Sequence, residues 1–477
     1  MRTRIILPAI PLLALALPLA APAQSPAPLF NGKDLSGWVR RGGVATYQIE
    51  GNEIVGTSTL GTPNTFLCTE KTYGDFVLEY EFKVDPKLNS GVQIRSECFD
   101  EPREVQWQGQ TIKIPAGRVH GYQVEMDPDV PRGRMWTGGI YDEARRNWLY
   151  PADGEKGEQG QAFSEQGRRI FKAGDWNHIR VEAVGPIIRT WLNGEPCAYL
   201  RDDMTPRGFI ALQVHGIGRD QSKDGTQVRW RNLMITELGP GQAPAPNRLH
   251  PAEQDAGWSL LWDGRTTAGW RGAKLDNFPT KGWEIKDGVL RVLASGGAES
   301  AAGGDIITRE RYAEFDLQLE FKISPGANSG IKYFCQPNLD PITGTGARAA
   351  TGSAIGLEYQ ILDDARHPDA KQGRDGNRTL ASLYDLLTAS PGKQPNPVGE
   401  WNFARIVVRG PRVEHWLNGR RVLTFERGTP AFRELVQLSK YKTIPGFGEW
   451  PDGHLLLQDH GDEVSFRNLK LRGQPVR

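Results

Sequence analysis

The amino-acid sequence predicts an all-β protein made of two tandem β-sandwiches. Strict alternation of apolar and polar residues indicates half-buried strands, and Asn-Gly pairs between such strands indicate tight hairpins. The pattern occurs twice along 477 residues, a length that suits two or three domains of ordinary size. The 14 Trp, 56 Gly and 33 Pro favour a turn-rich β protein over a helical one.

The clearest repeat is a strand, a turn and a second strand. The copies are residues 208–216 with 453–461, and 228–233 with 464–469. In each copy a Gln and a His lie two positions apart, so both side chains project from one face of a strand. These pairs are Gln213 with His215 and Gln458 with His460. A repeat this long indicates a duplicated unit, so function is expected at matching positions.

The strongest alternation of apolar and charged residues covers 76–84 and again 315–323. Period two over nine residues is typical of a half-buried antiparallel strand. Each strand leads into an Asn-Ser-Gly sequence, at 89–91 and at 328–330, which is typical of a turn or bulge. Hairpins are predicted further along, at Asn193-Gly194 and Asn418-Gly419.

The chain divides into a leader, two units and a linker. Residues 1–23 have the pattern of a secretory signal peptide, with basic residues before an apolar run and a small-residue cleavage site. The units are expected at 27–238 and 257–473, joined by a Pro- and Ala-rich linker at 239–256. The mature protein is therefore expected to be periplasmic or secreted. In that oxidising compartment Cys68 and Cys98 are the expected disulfide.

Composition excludes several classes of function. Lys and Arg number 58 against 57 Asp and Glu, a balance that predicts no nucleic-acid footprint. No membrane span is expected in the mature chain. No Gly-x-Gly-x-x-Gly sequence precedes a helical pattern, so a bound nicotinamide or flavin is not expected.

Polar side chains that share one strand face are the candidates for chemistry. Gln123, Glu125 and Asp127 alternate with apolar residues in the first unit, and Glu358 and Gln360 do so in the second. A row of carboxylates on a strand is either a solvated outer face or a functional surface. Both units also carry matching elements in the same order, which favours function. These are a basic residue after Asn-Ser-Gly (Arg95, Lys332), a Tyr-Asp pair (Tyr141-Asp142, Tyr384-Asp385) and a Gln-x-His strand.

These motifs resemble the 3-keto-disaccharide hydrolase domain family. The resemblance rests on Leu-x-x-Gly-x-x-x-x-Gly-Trp openings at 29–38 and 261–270, Asn-Ser-Gly, the sequence 356–364, Leu383-Tyr384-Asp385, and the Gln-x-His-Gly strands. It covers essentially all of the mature chain as two copies. It implies a concanavalin-like jelly-roll sandwich that cleaves glycosides oxidised to a ketone at sugar carbon 3. The first unit departs from the family pattern at 123–128 and carries a polar insertion at 107–118.

The implied chemistry needs a base, a stabiliser for the ketone oxygen and an acid. A ketone at carbon 3 acidifies the hydrogen on carbon 2, so a base can form an enolate and expel the group on carbon 1. In the second unit, Glu358 or His460 is the expected base, Lys332 the enolate stabiliser, and Tyr384 or His460 the acid. The counterparts expected in the first unit are Glu125, His215, Arg95 and Tyr141.

The remaining polar residues of both rows are expected to bind substrate. They are Gln360, Asp363, Asp364, Asn328 and Gln458 in the second unit, and Gln123, Asp127, Asn89 and Gln213 in the first. A divalent cation could take the place of Lys332, with Asp127, Asp363 or Asp364 and a nearby His as ligands. No compact ligand motif supports this cation.

Two other functions fit parts of the sequence. A sugar-binding module without catalysis would use Trp136, Trp148 and Trp450, which occur in loop-like contexts. A laminarinase-like glucanase is suggested by Glu125-Met-Asp127-Pro-Asp129, but the final Glu of that motif is missing. For the favoured function, a separate sugar oxidoreductase must supply the 3-keto substrate.

Overall fold

The chain forms two β-sandwiches in tandem, as shown by a computed structural model that describes residues 25–128, 133–239, 242–297, 299–300, 302–338 and 352–476. The predicted signal peptide lies outside the described residues. Among these residues, no helix is long and apolar enough to cross a membrane. The prediction of an all-β, twin-sandwich protein is confirmed.

Within its described residues, the first unit contains 17 strands and one longer helix. The strands are β1 (Ala27–Pro28), β2 (Trp38–Gly42), β3 (Thr46–Glu50), β4 (Glu53–Thr57), β5 (Thr65–Tyr73), β6 (Phe76–Val84), β7 (Ser90–Cys98), β8 (Arg103–Trp107), β9 (Gln110–Ile114), β10 (Val119–Met126), β11 (Ile140–Glu143), β12 (Asn147–Tyr150), β13 (Asn177–Val184), β14 (Ile187–Leu192), β15 (Glu195–Arg201), β16 (Gly208–Val214) and β17 (Gln227–Glu237). The helix is α1 (Glu158–Ile170), and a 3-10 turn covers Gln221–Lys223.

The second unit repeats this arrangement with fewer strands. They are β18 (Ser259–Leu260), β19 (Trp270–Gly272), β20 (Trp283–Lys286), β21 (Val289–Val292), β22 (Ile306–Thr308), β23 (Phe315–Ile323), β24 (Asn328–Gln336), β25 (Ile355–Leu362), β26 (Asn402–Arg409), β27 (Arg412–Leu417), β28 (Arg420–Glu426), β29 (His454–Leu457) and β30 (Val464–Arg472). Helix α2 (Pro251–Asp255) precedes this unit, α3 (Pro430–Gln437) lies within it, and a 3-10 turn covers Pro368–Lys371.

Each unit pairs a back sheet with a front sheet. The back sheets have the orders β15-β14-β13-β6-β17-β4-β3 and β28-β27-β26-β23-β30-β21-β20, so every strand has a counterpart. The front sheets have the orders β12-β11-β10-β7-β16-β5-β2 and β25-β24-β29-β22-β19. The first front sheet is therefore extended by β11 and β12, and a separate β8-β9 ribbon covers most of its polar insertion.

The cores lie between the sheets and follow from the period-two pattern. Leu78, Tyr80 and Phe82 of β6 are fully buried, while Glu79 and Glu81 on the opposite face are partly exposed. The front sheets contribute alternate apolar residues to the same cores, such as Ile331 and Tyr359. The polar residues between these apolar positions consequently face away from the core.

The four cysteines are free thiols. The expected disulfide between Cys68 and Cys98 is therefore wrong. Their strands β5 and β7 are separated by β16, to which both are paired, so they are not adjacent in the sheet. Sequence alone did not reveal this strand order.

Buried ion pairs join the two units. Arg405 of β26 donates to both oxygens of Asp316, at 2.7 and 2.6 Å, and its guanidinium lies 3.6 Å from Glu195 of the first unit. Glu320 accepts from Arg189 of the first unit at 2.6 Å and from Arg467 at 2.7 Å. Each of these clusters therefore combines charged side chains from both units.

The linker residues pack against both units. His250, the N-cap of α2, lies 2.8 Å from the carboxylate of Glu79 on the first back sheet. The backbone N–H of Asn247 donates to the side-chain oxygen of Asn468 in the second unit, and the backbone N–H of Asn468 donates to the side-chain oxygen of Asn247. This segment is anchored at both ends rather than spanning open solvent.

We expect Glu320→Gln to lower the free energy of unfolding by about 3 kcal/mol, because a buried guanidinium then lacks its charge partner. Burial tends to raise the pKa of Glu320, but Arg189 and Arg467 outweigh it and lower the pKa to about 2. Its contribution is therefore complete above the unfolded pKa of about 4.5 and lost as pH falls towards 2. Urea unfolding between pH 2 and 7 measures both effects.

The matched control is Glu400→Gln, which removes the exposed interdomain pair with Arg201. It should cost less than about 1 kcal/mol. Equal losses in the two variants, or an effect of Glu320→Gln that persists at pH 2, would contradict this account of the interface.

Candidate functional site

The outer face of each front sheet carries the predicted polar residues. In the second unit Lys332 of β24 lies directly opposite Glu358 of β25, and Gly330 lies opposite Gln360. In the first unit Gln93 of β7 lies opposite Gln123 of β10, and Gly91 lies opposite Glu125. The strand register thus gives an exact residue match between the two candidate sites.

The Asn-Ser-Gly sequences open strands β7 and β24 and are part of these sites. The expectation of a turn or bulge is wrong. Each Ser hydroxyl donates to the neighbouring strand, from Ser90 to the carbonyl of Gln213 at 2.6 Å and from Ser329 to that of Gln458 at 2.8 Å. The pairing that anchors the site therefore uses the Ser side chain as well as the backbone.

The Gly of the motif makes room for a long polar side chain. A Cβ on Gly330 would collide with the carboxylate of Glu358, and one on Gly91 would collide with Gln123. The Asn makes the next contact, from Asn89 to Glu125 at 3.4 Å and between Asn328 and Gln360 at 3.3 Å. The whole motif therefore positions the polar row.

A buried charge cluster occupies the second site. The ammonium of Lys332 lies 3.6 Å from Asp305, 3.3 Å from the Ser353 hydroxyl and 4.0 Å from Glu299. Burial alone would lower the pKa of Lys332, but Asp305 and Glu358 raise it above its usual value. Lys332 is therefore a fixed cation at neutral pH.

Two acids at this site, Glu358 and Asp305, hold their protons more tightly than usual. Burial raises the pKa of Glu358 to about 7, although Lys332 and Lys440 favour its charged form. Burial likewise raises the pKa of Asp305 to about 6. A carboxyl with a pKa near 7 can accept or release a proton at physiological pH.

Tyr384 borders Glu358 but is already engaged. Its backbone N–H donates to the carbonyl of Glu358 at 3.0 Å, and its hydroxyl donates to Asp369 at 2.8 Å. Burial, Glu358 and Asp369 raise the pKa of its phenol. The ammonium of Lys440 lies 4.3 Å from the centre of the Tyr384 ring, which adds a second cation to this side of the site.

His460 lies at the far end of the second site. The N–H of Gln458 donates to the carbonyl of Gly330, and His460 follows two residues later, beyond Gln360 along the sheet. Its Nδ1 is buried without a hydrogen-bond partner among the described residues, and its ring lies 6.1 Å from that of His367. His460 and Glu358 are therefore not hydrogen-bonded neighbours. The side-chain amides of Gln360 and Gln458 lie between them along the sheet.

Asp363 and Asp364 hold the loop that follows β25. Asp363 accepts from the backbone of Gly326 at 2.8 Å and from Arg366 at 3.0 Å. Asp364 accepts from the N–H of Leu380 and lies 2.7 Å from the ammonium of Lys393. Through these contacts both carboxylates anchor the loop by binding groups of the protein itself.

The first site is a polar cavity of about 240 Å³. Its lining includes six of the predicted residues, namely Asn89, Gln123, Glu125, Tyr141, Gln213 and His215. It also includes Asn64, Arg118, Arg134, Glu143 and Trp148. Asp127 lies just beside this cavity, 2.5 Å from Arg134. The structure thus brings together all the first-unit candidates except Arg95.

The register corrects the expected match between the units. Glu358 corresponds to Gln123, and Glu125 corresponds to Gln360, so the acid of the first unit lies two residues further along its strand. The counterpart of Lys332 is Gln93, and the expectation that Arg95 takes this role is wrong. Arg95 is fully buried and donates to the carbonyls of Gly74 and Gly185 and to Asp75.

A backbone irregularity explains the position of Arg95. Its φ is 45°, and the pairing of β7 with β16 shifts in this region, so the side chain leaves the alternation of the strand. The bulge sends the guanidinium towards the loops between the sheets. Counting residues from Asn-Ser-Gly could not reveal it.

Acidic groups of the first site are also perturbed. Burial raises the pKa of Glu125 well above its usual value, and the nearby Asp127 adds to the shift. Burial also raises the pKa of Glu143, which accepts from Arg118 at 2.6 Å. Glu125 therefore holds its proton more tightly than an exposed Glu does.

The predicted cation ligands do not converge. Asp127, Asp363 and Asp364 are engaged by Arg134, Arg366 and Lys393. In the described part of the chain, the only ligand cluster is Glu79, His178 and His250 on the first back sheet. There the Nδ1 of His250 accepts from Ala252, which places its proton on Nε2 and leaves no lone pair there for a metal.

The Trp residues proposed for sugar stacking have different environments. Trp136 is buried, with its indole N–H donating to Ser164 at 2.9 Å, and Trp450 packs against the second core. Trp148 is half-buried and lines the first cavity. Only Trp148 of these three therefore offers an aromatic surface at a candidate site.

Several site residues were not found from the sequence. Asp305, Glu299 and Lys440 come from segments far from the recognised motifs, and no local pattern distinguishes them. Glu143 follows Tyr141 on the same face of β11, so period two could have identified it.

Comparison with known proteins identifies the fold unit. The family model of the 3-keto-alpha-glucoside-1,2-lyase-like domain matches residues 25–236 and 257–472. A 3-keto-disaccharide hydrolase of Bacteroides thetaiotaomicron is 37% identical over 238 residues, which is 46% of this chain and 80% of that protein.

Two solved structures are similar to one unit. A protein of Parabacteroides distasonis, proposed to be a glycosyl hydrolase, is 27% identical and covers 48% of this chain and 99% of its own, with a TM-score of 0.40. A Bacillus subtilis protein of unknown function with a galectin-like fold is 10% identical. The match covers 46% of this chain and 99% of that protein, with a TM-score of 0.32.

We expect Glu358→Gln to stabilise the protein above pH 5. The folded pKa of about 7 exceeds the unfolded value of about 4.5, so ionisation of Glu358 costs stability as pH rises through this window. The advantage of the variant should grow by about 1.4 kcal/mol per pH unit, to about 3 kcal/mol at pH 7.

Urea unfolding of both proteins between pH 4.5 and 8 measures this difference, with the exposed Glu434→Gln on α3 as control. A variant whose stability relative to the wild type is the same at all pH values would show that Glu358 ionises normally.

Proposed function

We propose that this chain, which belongs to the family of 3-keto-alpha-glucoside-1,2-lyase-like domains, cleaves the glycosidic bond of sugars oxidised to a ketone at carbon 3. The observation that carries the proposal is the buried cluster of Glu358, Lys332 and Asp305 in the second unit. It supplies a base of suitable pKa beside a permanent cation, and a carbon acid needs both.

Glu358 is the proposed base. Its pKa of about 7 means that a large fraction is ionised at neutral pH, while the carboxylate remains a stronger base than an exposed Glu. It takes the proton from carbon 2, and the electron pair of that bond forms the enolate of the carbon 3 ketone. Gly330 beneath its side chain leaves the space that the Glu358 carboxylate occupies.

Lys332 is the proposed stabiliser of the enolate oxygen. It is buried, so its charge acts at a lower effective dielectric than in water. Asp305 and Ser353 hold the ammonium in place before the substrate arrives. Such preorganisation lowers the cost of developing negative charge in the transition state.

His460 is the proposed proton donor to the leaving oxygen. When the enolate collapses, the bond between carbon 1 and the leaving oxygen breaks, and that oxygen needs a proton. Tyr384 is the weaker candidate, because its proton is already donated to Asp369 and its pKa is raised. The Nδ1 of His460 lacks a partner among the described residues.

Elimination leaves a double bond between carbons 1 and 2 that is conjugated with the ketone. Release at this stage makes the reaction that of a lyase. Addition of water, with hydroxyl at carbon 1 and hydrogen at carbon 2, makes the net reaction a hydrolysis. The chain must receive its substrate from a separate sugar oxidoreductase, and we place both in the periplasm or outside the cell.

The glucanase alternative requires two carboxylates on either side of an ordinary glycosidic bond. Glu125 and Asp127, which suggested it, are only two residues apart in the sequence, and Asp127 is engaged by Arg134. This arrangement does not favour cleavage of an unoxidised sugar.

We expect the full-length protein to release the aglycone from a 3-keto-glucoside and not from the same unoxidised glucoside. Glu358→Gln should lower kcat/KM by about 10²–10⁴-fold, because the variant lacks the base. Glu434→Gln is the control for loss of a Glu on an exposed surface of the same unit. Cleavage of the plain glucoside would favour the glucanase, and undiminished turnover by Glu358→Gln would refute the assignment.

The pH dependence should identify the base more directly. kcat/KM should rise as Glu358 loses its proton, with a midpoint near pH 7. Lys332→Met should move this midpoint to higher pH, because the ammonium favours the carboxylate, and should lower the maximum by about 10²–10³-fold. A lower maximum with an unmoved midpoint would show that Lys332 does not influence the ionisation of Glu358.

A further inference from the structure

We propose that the first unit is a separate binding site for an unoxidised sugar residue, and that it does not carry out the proton transfer assigned to the second unit. The ligand class is a single neutral, polyhydroxylated ring, such as one residue of a glycan. This inference rests on the first cavity and its amides, and it stands whether or not the second unit acts on 3-keto sugars.

The charged trio of the second unit is replaced in the first. Gln93 and Gln123 stand at the positions of Lys332 and Glu358. Extension of the pairing along the neighbouring strand places an apolar residue, Phe66, at the position of Asp305. At these three positions the first site therefore lacks the cation and the adjacent base that the second site carries.

The replacements are neutral amides that belong to one hydrogen-bonded chain. Ser96 donates to Gln93 at 2.7 Å, Gln93 donates to Gln123 at 2.5 Å, and Gln123 donates to Glu125 at 2.5 Å. Glu125 also accepts from Asn89, and burial raises its pKa well above the usual value. This chain of amides offers donors and acceptors to sugar hydroxyls.

Gln213 provides the independent sign of a ligand. Its amide oxygen and nitrogen are both buried, and neither has a hydrogen-bond partner among the described residues, although the side chain lines the cavity. A buried amide without partners costs about 1–3 kcal/mol per group. A hydroxyl group both donates and accepts, so neighbouring hydroxyls of one sugar ring can satisfy both atoms.

The rest of the lining suits a sugar ring. Trp148 is half-buried beside the cavity. It makes edge-to-face contacts with Trp136 and Tyr141, with distances between ring centres of 4.6 and 5.4 Å. Its rigid ring offers an apolar surface to the C–H groups of a pyranose. The cavity volume of about 240 Å³ is below the roughly 300–1,000 Å³ of sites for drug-sized ligands, which favours one ring over a longer chain.

The first unit also has structure that the second lacks. Strands β11 and β12 extend its front sheet, and they carry Tyr141, Glu143 and Trp148 into the cavity wall. In the described part of the second unit, only an isolated bridge between Tyr359 and Leu383 occupies the position of β11. The added strands thus build a wall that the reaction proposed for the second unit does not need.

The test uses full-length Glu358→Gln protein, so that binding is measured without turnover by the second unit. Methyl glycosides of glucose, galactose and mannose are titrated by calorimetry, with tryptophan fluorescence as a second readout. We expect one of them to bind at one site per chain. Gln213→Leu, Asn64→Ala and Trp148→Ala, each combined with Glu358→Gln, should weaken that binding by at least about tenfold.

The matched control is Gln106→Leu on the exposed β8-β9 ribbon, which should bind as the parent does. Thermal unfolding identifies variants that fail to fold, and Asn64→Ala is the mildest change if Gln213→Leu does so. Absence of binding by all three glycosides, or binding insensitive to the cavity variants, would overturn the proposal. So would 3-keto-glucoside turnover by Glu358→Gln that disappears when Glu125→Gln is added.

Discussion

The structure depends on keeping a carboxyl and an ammonium buried side by side on the outer face of one sheet. Glu358 and Lys332 are opposite residues of two antiparallel strands, so the sheet itself fixes their separation. Burial raises the pKa of Glu358 to about 7, and the ammonium of Lys332 keeps it from rising further. Asp305 and the Ser353 hydroxyl prevent Lys332 from being an uncompensated charge, which the sandwich could not tolerate.

The comparison of the two units shows how one scaffold supports different sites. The Asn-Ser-Gly strand, the Gln-x-His strand and the polar row keep the same positions in both front sheets. The positions of Lys332, Glu358 and Asp305 carry uncharged side chains in the first unit, so the cation and base of the second site have no counterpart at these positions. Buried interdomain charges such as Glu320 hold the two sites in one molecule.

The fold was predictable because period two and the duplication are properties of the sequence itself. The register was not, because an acid at 125 and one at 358 look equivalent until the pairing with Gly91 and Gly330 is known. Arg95 was misassigned because a bulge, which no residue pattern announces, turns it out of the strand. Asp305 and Lys440 reach the site through tertiary contacts between segments more than 50 residues from Glu358.

The most direct measurement of the central claim follows the hydrogen on sugar carbon 2. A 3-keto-glucoside carrying deuterium at that carbon is cleaved in ordinary water, and the sugar product is analysed by mass spectrometry. Substrate recovered from a parallel incubation with Glu358→Gln gives the background exchange. If Glu358 removes this hydrogen, every product molecule loses the deuterium beyond that background; a product that keeps its deuterium would show that cleavage proceeds without a carbanion at carbon 2.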